Sequence, residues 1–242
     1  NPDKDYIVAA NNQVEPRNGY PYLISSDYDL GYRANRITDM IENAPDKIDL
    51  SYVQIMQGDS FDGGAEYILP VLLELEIKSA TPNQAIALEI LKSWDYQASA
   101  NSTPAAIYEV FWKNLLANTF NDDVPERYYP NGNSLWFEVM RRTITERESF
   151  WWDDKTTSGS VETRDEIFIR SFTDTIAELE NTLGNEPSKW AWGNLHTSTF
   201  KNGTLGNSGI FLIENLFNRG PFPTSGGAGI VNATGWRASQ GY

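Results

Sequence analysis

Three kinds of residue in this 242-residue chain could do chemistry: clustered carboxylates, a lone histidine, and an asparagine–arginine pair 22 positions apart. The carboxylates group at Asp122-Asp123, at Asp153-Asp154 and at Glu74 with Glu76. Paired acids in a helical, tryptophan-containing protein suit a glycosidase or a sugar-binding surface. In a chain of net charge −14, such pairs are usually solvated surface. His196 is the single histidine, so a Ser-His-Asp triad would have to use it, and no Gly-x-Ser-x-Gly elbow accompanies it. One histidine without cysteine cannot build an ordinary zinc site. A structural, hydrogen-bonded role in a loop is the simpler reading of His196. No P-loop or Gly-x-Gly-x-x-Gly precedes a helix, and Ser225-Gly226-Gly227-Ala228-Gly229 reads as a tight turn. Taken alone, Asn11 reads as a turn former ahead of Gln13 and Arg33 as a helix-surface charge.

Composition narrows the classes further. No Lys/Arg cluster interrupts the acidity, so the phosphate neutralisation that dominates nucleic-acid affinity has no source. An anionic membrane surface would repel the chain, and no apolar run reaches spanning length. Hydrophobic residues make up 40% of the chain, enough for a real core. The absence of cysteine excludes disulfides within this chain and a thiolate nucleophile. The 8 Trp, 12 Tyr and 12 Pro suit a periplasmic or secreted enzyme.

The elements that must position these residues are mainly helices. Asp49 can cap a helix through Tyr52, Val53, Ile55 and Met56. Thr81-Pro82-Asn83-Gln84 combines a cap, a proline at the first helical position and a capping box, followed by Ala85, Ile86, Leu88, Leu91 and Trp94 at helical spacing. Thr103-Pro104 opens another helix, with Ile107, Val110, Phe111 and Leu115 on one side. Thr163-Arg164-Asp165-Glu166 is a capping box ahead of the stripe Phe168, Phe172, Ile176, Leu179 and Leu183, with Gly184 as the stop. A further apolar segment lies between Ser60 and Ser79, and Pro70 either kinks it or marks its beginning. Short strands are expected at Tyr6–Ala10 and Gly229–Ala233. From Pro187 to Tyr242 the chain reads as loops around one short helix near Ile210–Phe217. The fold class expected is mainly α, with loop-rich ends, a few short strands and no linker.

Several blocks carry a family resemblance. Ile7-Val8-Ala9-Ala10-Asn11-Asn12 is followed by Tyr20-Pro21 and by Gly31-Tyr32-Arg33-Ala34-Asn35-Arg36-Ile37. Gln57-x-Asp59 leads to Ala65 and Leu69-Pro70, and Trp94-Asp95 leads to Ser102 and Ala105-Ala106-x-Tyr108. Trp192-Gly193-x-Leu195-His196 and Gly226-Gly227 with Val231-Asn232-Ala233 complete the order. As an ordered set over nearly the whole chain, these blocks resemble the penicillin acylase family of N-terminal-nucleophile amide hydrolases.

The resemblance implies the helical portion of a four-layer αββα fold. It implies an oxyanion-hole segment at 1–33, a helical body at 34–185 and a loop-rich part at 186–242. It implies that Asn11 donates its side-chain amide to the oxyanion of the tetrahedral intermediate and that Arg33 orients it by charge-assisted hydrogen bonds. Asn12 is expected to fix the loop. The α-amine of residue one serves such enzymes as base, so no catalytic histidine is needed. Asn1 carries no hydroxyl or thiol, so the chain reads as an internal segment that is inactive alone. Its partners would be the remainder of the same precursor and a small-molecule amide. No cofactor is expected within this segment. Some relatives of this type bind calcium through an Asp shortly after the Tyr-Pro pair, and here Tyr22, Leu23 and Ile24 follow. The end at Gly241-Tyr242 is expected to fall just before the family's final strands. Two alternatives stay open: a non-catalytic helical carbohydrate-binding module, and a helical glycosidase that loses activity when one carboxylate is replaced.

Overall fold

The structure, a computed structural model, describes residues 4–15, 20–78 and 81–240. The expectations for Asn1, for Ser79 and for Gly241-Tyr242 fall outside the described residues. In chain order the helices are α1 (Tyr32–Glu42), α2 (Leu50–Gln57), α3 (Ala65–Leu73), α4 (Pro82–Lys92), α5 (Thr103–Phe120), α6 (Ser134–Thr143), α7 (Arg164–Leu183), α8 (Trp192–Leu195) and α9 (Phe211–Phe217). Strands β1 (Thr197–Phe200) and β2 (Arg219–Pro223) form one antiparallel pair.

Local signals explain most helix starts. Asp49 accepts the Tyr52 N–H and begins α2. Thr81 with Gln84, and Thr163 with Glu166, make reciprocal capping boxes at α4 and α7. Gly184 ends α7 in the conformation expected of glycine, with φ of +88°. Thr103-Pro104 open α5 as expected, and Ser102 caps it, its hydroxyl accepting the Ala105 N–H at 3.2 Å. Pro70 does not begin a helix but lies inside α3.

The core forms around α5. Its residues from Ala105 to Trp112 are all buried, so the expectation of a single apolar side was too narrow. A helix with so wide an apolar surface has to be enclosed over most of its circumference. Helix α7 packs along it more extensively than any other element among the described residues, with Phe168, Phe172, Ile176 and Leu179 facing the core. Helix α4 contributes Ala87 and Leu91, with Gln84 buried in its capping box. Ala85 and Ile86 fall on the solvent side, because positions 84, 87 and 91 share one helical face.

Four indoles are fully buried, and each donates its N–H to a carbonyl in a loop or at a helix end. Trp112 bonds Gly132 (3.2 Å), Trp152 bonds Glu146 (2.8 Å), Trp190 bonds Gly184 (2.7 Å) and Trp192 bonds Gly226 (2.9 Å). Trp190 and Trp192 are therefore core residues rather than cleft lining.

Neither expected strand forms. Residues 6–10 stay irregular, because Asn11 turns the chain at φ of +60° and only Asn12 pairs, in a single parallel bridge to Asp29. Residues 229–233 turn at Gly229, and the Asn232 N–H goes to the Asp59 carbonyl (2.9 Å). The real strands, Thr197–Phe200 and Arg219–Pro223, lay hidden because β2 contains two prolines and neither strand alternates.

Replacing Trp192 by Phe keeps an aromatic ring, though a smaller one, and leaves the buried Gly226 carbonyl without this donor. The cost expected is about 1–3 kcal/mol, read as a lower urea midpoint with an unchanged m-value.

Candidate functional site

The site forms where the chain enters α1. Arg33 stands in the first turn of that helix, and Gly31, at φ of +90°, caps it in a conformation that side chains rarely adopt. The guanidinium reaches back across the N-terminal segment. Arg33 Nη2 donates to Asn11 Oδ1 at 2.8 Å and to the Ala10 carbonyl at 3.1 Å. It also faces Asp29 Oδ2 at 3.5 Å. The expected pair thus meets in space.

The direction of that contact has a chemical consequence. A guanidinium only donates, so it fixes the oxygen end of the Asn11 amide toward Arg33. The Nδ2 end is left as a donor, with no acceptor among the described residues. Asn11 lines a groove of about 920 Å³ whose walls also include Arg33, Asn133, Gly227, Ala233 and Trp236. Asn12 pins the loop as expected: its Oδ1 accepts the Ala10 N–H at 3.0 Å and its Nδ2 donates to the Gln13 carbonyl at 3.2 Å.

Blocks that are far apart in sequence converge here. Arg36, on α1, holds Asp59 through two bonds of 2.9 and 2.7 Å and lies 4.5 Å from the centre of the Phe61 ring. The Asp59 carbonyl receives the Asn232 N–H, and the Gly226 N–H donates to Ala98. The glycine-rich run is a turn, as expected. A Cβ on Gly226 would meet the Asn232 carbonyl oxygen at 2.1 Å, so only glycine fits.

Beneath that turn lies a buried acid. A Cβ on Gly227 would stand 3.3 Å from Glu109 Oε1. Glu109 Oε2 accepts the Trp236 N–H at 3.0 Å. Burial, and secondarily the neighbouring Asp62, push the Glu109 carboxyl well above the usual range, against the pull of the Trp236 N–H. Burial raises Asp62 to about 6, opposed by the Ala65 and Gly64 N–H groups that it caps at the start of α3. Glu109 has less to hold its charge, so it is the member that keeps a proton.

The other candidates lie away from the groove. His196 is buried, its Nδ1 is 3.0 Å from the Thr224 carbonyl, and its ring stacks on Trp192 at 4.8 Å. Asp123 pairs with Lys155, Asp122 accepts the Lys155 N–H, and Asp154 pairs with Arg170 at 2.8 Å. Among the described residues no three acids or histidines are grouped to hold a metal ion. Sequence reasoning missed Asp29, Ser134, Glu109 and Trp236. Only Asp29 left a trace, as an acid four residues before an arginine.

The pattern of the penicillin amidase family matches residues 1–242, and the chain belongs to that family. Among individual relatives, the acyl-homoserine lactone acylase QuiP of Pseudomonas syringae pv. syringae is 26% identical over 265 residues, covering 100% of this chain. QuiP of Pseudomonas aeruginosa is 24% identical over 266 residues, covering 97% of this chain. The chain spans 31% of the length of each.

A carboxyl whose pKa is higher folded than unfolded binds extra protons in the native state, so stability falls as pH rises through that interval. For Glu109 and Asp62 the loss begins above the ordinary carboxylate range and continues through pH ~6. Glu109→Gln keeps an acceptor for Trp236 and removes the Glu109 titration, leaving that of Asp62. Its urea midpoint is expected to fall less than the wild-type midpoint between pH ~5 and ~8.

Proposed function

We propose that this chain is a segment of an amide hydrolase, and that it supplies Asn11 as an oxyanion-stabilising donor oriented by Arg33. The observation that carries the reading is the 2.8 Å bond from Arg33 to Asn11 Oδ1, which commits the other end of the amide to donate. Family membership gives that donor a reaction to serve.

In this reading a hydroxyl or thiol nucleophile elsewhere in the precursor attacks the amide carbonyl carbon. The α-amine of that residue takes the proton. The carbonyl oxygen becomes an anion and accepts from Asn11 Nδ2 and from a backbone N–H outside this segment. Collapse expels the protonated amine and leaves an acyl-enzyme, which water then hydrolyses. A donor already in place needs no reorganisation at the moment of reaction, and that is the source of its effect. The segment contributes no cofactor or metal ligand.

The parent fold proposed is the four-layer αββα sandwich, with this chain as its helical portion. Exposed Ile7, Tyr22, Leu23 and Ile24 support the remainder of the precursor as the covering partner. A periplasmic or secreted location goes with this reading. The relatives are named acyl-homoserine lactone acylases, so an N-acyl homoserine lactone is the first substrate class to test. The carbohydrate-binding alternative has less support, because Trp112, Trp152, Trp190 and Trp192 are buried and cannot stack on a sugar.

In the full-length gene product, Asn11→Ala is expected to lower kcat about a hundred- to thousandfold with little change in KM. Residues 1–242 alone are expected to show no turnover. An Asn11→Ala enzyme with wild-type kcat overturns the reading.

A further inference from the structure

Asp29 has five partners, at the Asn11 loop, the start of α1 and the start of α6. Its backbone N–H donates to the Asn11 carbonyl at 2.8 Å, and Asn12 pairs with it in the parallel bridge. Its Oδ1 accepts the Gly31 N–H at 3.1 Å, closing the turn into α1. Its Oδ2 accepts the Ser134 hydroxyl at 3.1 Å, at the first residue of α6, and faces Arg33 at 3.5 Å. The carboxylate side chain is only 15% exposed. One residue therefore joins the loop, the start of α1 and the start of α6.

Charge makes this more than a structural tie. Among the described residues Asp29 is the carboxylate paired with Arg33. A half-buried guanidinium without its anion gains by swinging toward water. Arg33 would then release Asn11 Oδ1, and the amide would lose its preferred direction. Asn11 also sits at φ of +60°, a backbone conformation that external bonds help to hold. The Asp29 N–H and the Arg33 guanidinium grip it from two sides.

We propose that Asp29 is the positioning residue of the oxyanion site: it fixes Arg33 and the Asn11 loop against α6 and acts on the reaction only through Asn11. The inference rests on the amide-hydrolase reading above. Ser134 has the same role at one remove, as the tether between Asp29 and α6.

The test uses the full-length gene product with an N-acyl homoserine lactone or a chromogenic amide. Asp29→Asn keeps one acceptor oxygen, for the Gly31 N–H, and puts a donating Nδ2 where the Ser134 hydroxyl can accept it; it removes the charge facing Arg33. Its kcat is expected to fall about tenfold to a hundredfold with KM within about twofold, the pattern of a misdirected catalytic group. In an Asn11→Ala background the same change is expected to lower kcat no further, because the residue it acts through is gone. Ser134→Ala is expected to give a smaller loss that is also silent in that background. It leaves the turn into α1 intact, so it decides the matter if Asp29→Asn does not fold. A wild-type kcat in Asp29→Asn, or equal losses with and without Asn11, overturns the inference and leaves the amide-hydrolase reading standing. A wild-type kcat in Asn11→Ala overturns both.

Discussion

Helix α5 is buried over most of its surface, leaving only its first two residues and the side carrying Lys113, Asn114, Ala117 and Asn118 half-buried, and the rest of the architecture follows from enclosing it. An 18-residue helix carrying Ile107, Phe111, Trp112, Leu115 and Phe120 cannot face water at acceptable cost. Helix α7 covers one flank, and α3, α4, α6, α8 and loop residues such as Trp152, Trp190 and Ile230 complete the core. The same enclosure traps Glu109 and the Tyr108 hydroxyl, which has no hydrogen-bond partner among the described residues. Burial of so large a helix leaves polar groups that each need a specific answer. Glu109 finds one in Trp236, and that answer reaches outward to the wall of the groove.

The loops are ordered by donors that start in the core. Trp192 anchors the glycine-rich turn at Gly226, and Trp112 anchors Gly132. The indole suits this use because one side chain combines a large apolar surface with a single N–H donor. Buried in the core, it holds a distant carbonyl at a fixed place. The groove beside Asn11 is thus bounded by irregular chain that is nonetheless tied to the helical body.

Precision at Asn11 comes from a different source. Its backbone is left-handed, its carbonyl is held by Asp29 and its side-chain oxygen by Arg33. Those three constraints act on one residue from three directions. In the proposed role, a donor placed in this way is prepared before any substrate arrives, as electrostatic stabilisation of a developing charge requires.

The sequence by itself determined the helix starts and the members of the central pair. Caps such as Thr81 with Gln84 and Thr163 with Glu166 act over three residues, so their outcome is written locally. Asn11 and Arg33 were legible because the ordered blocks around them carry a family pattern. The strand expectations failed at residues 6–10 because Asn11 turns the chain just beyond them, and at 229–233 because the chain turns at Gly229 and Asn232 bonds to the distant Asp59. The pairing of β1 with β2 stayed hidden because prolines mask a strand whose only support is tertiary. The burial of Trp190, the convergence of Asp59 with Asn232 and the grip of Asp29 on Arg33 were decided by the tertiary structure alone. Each depends on which groups the folded chain brings within hydrogen-bond reach. No local propensity specifies a contact whose partners are brought together only when the core closes.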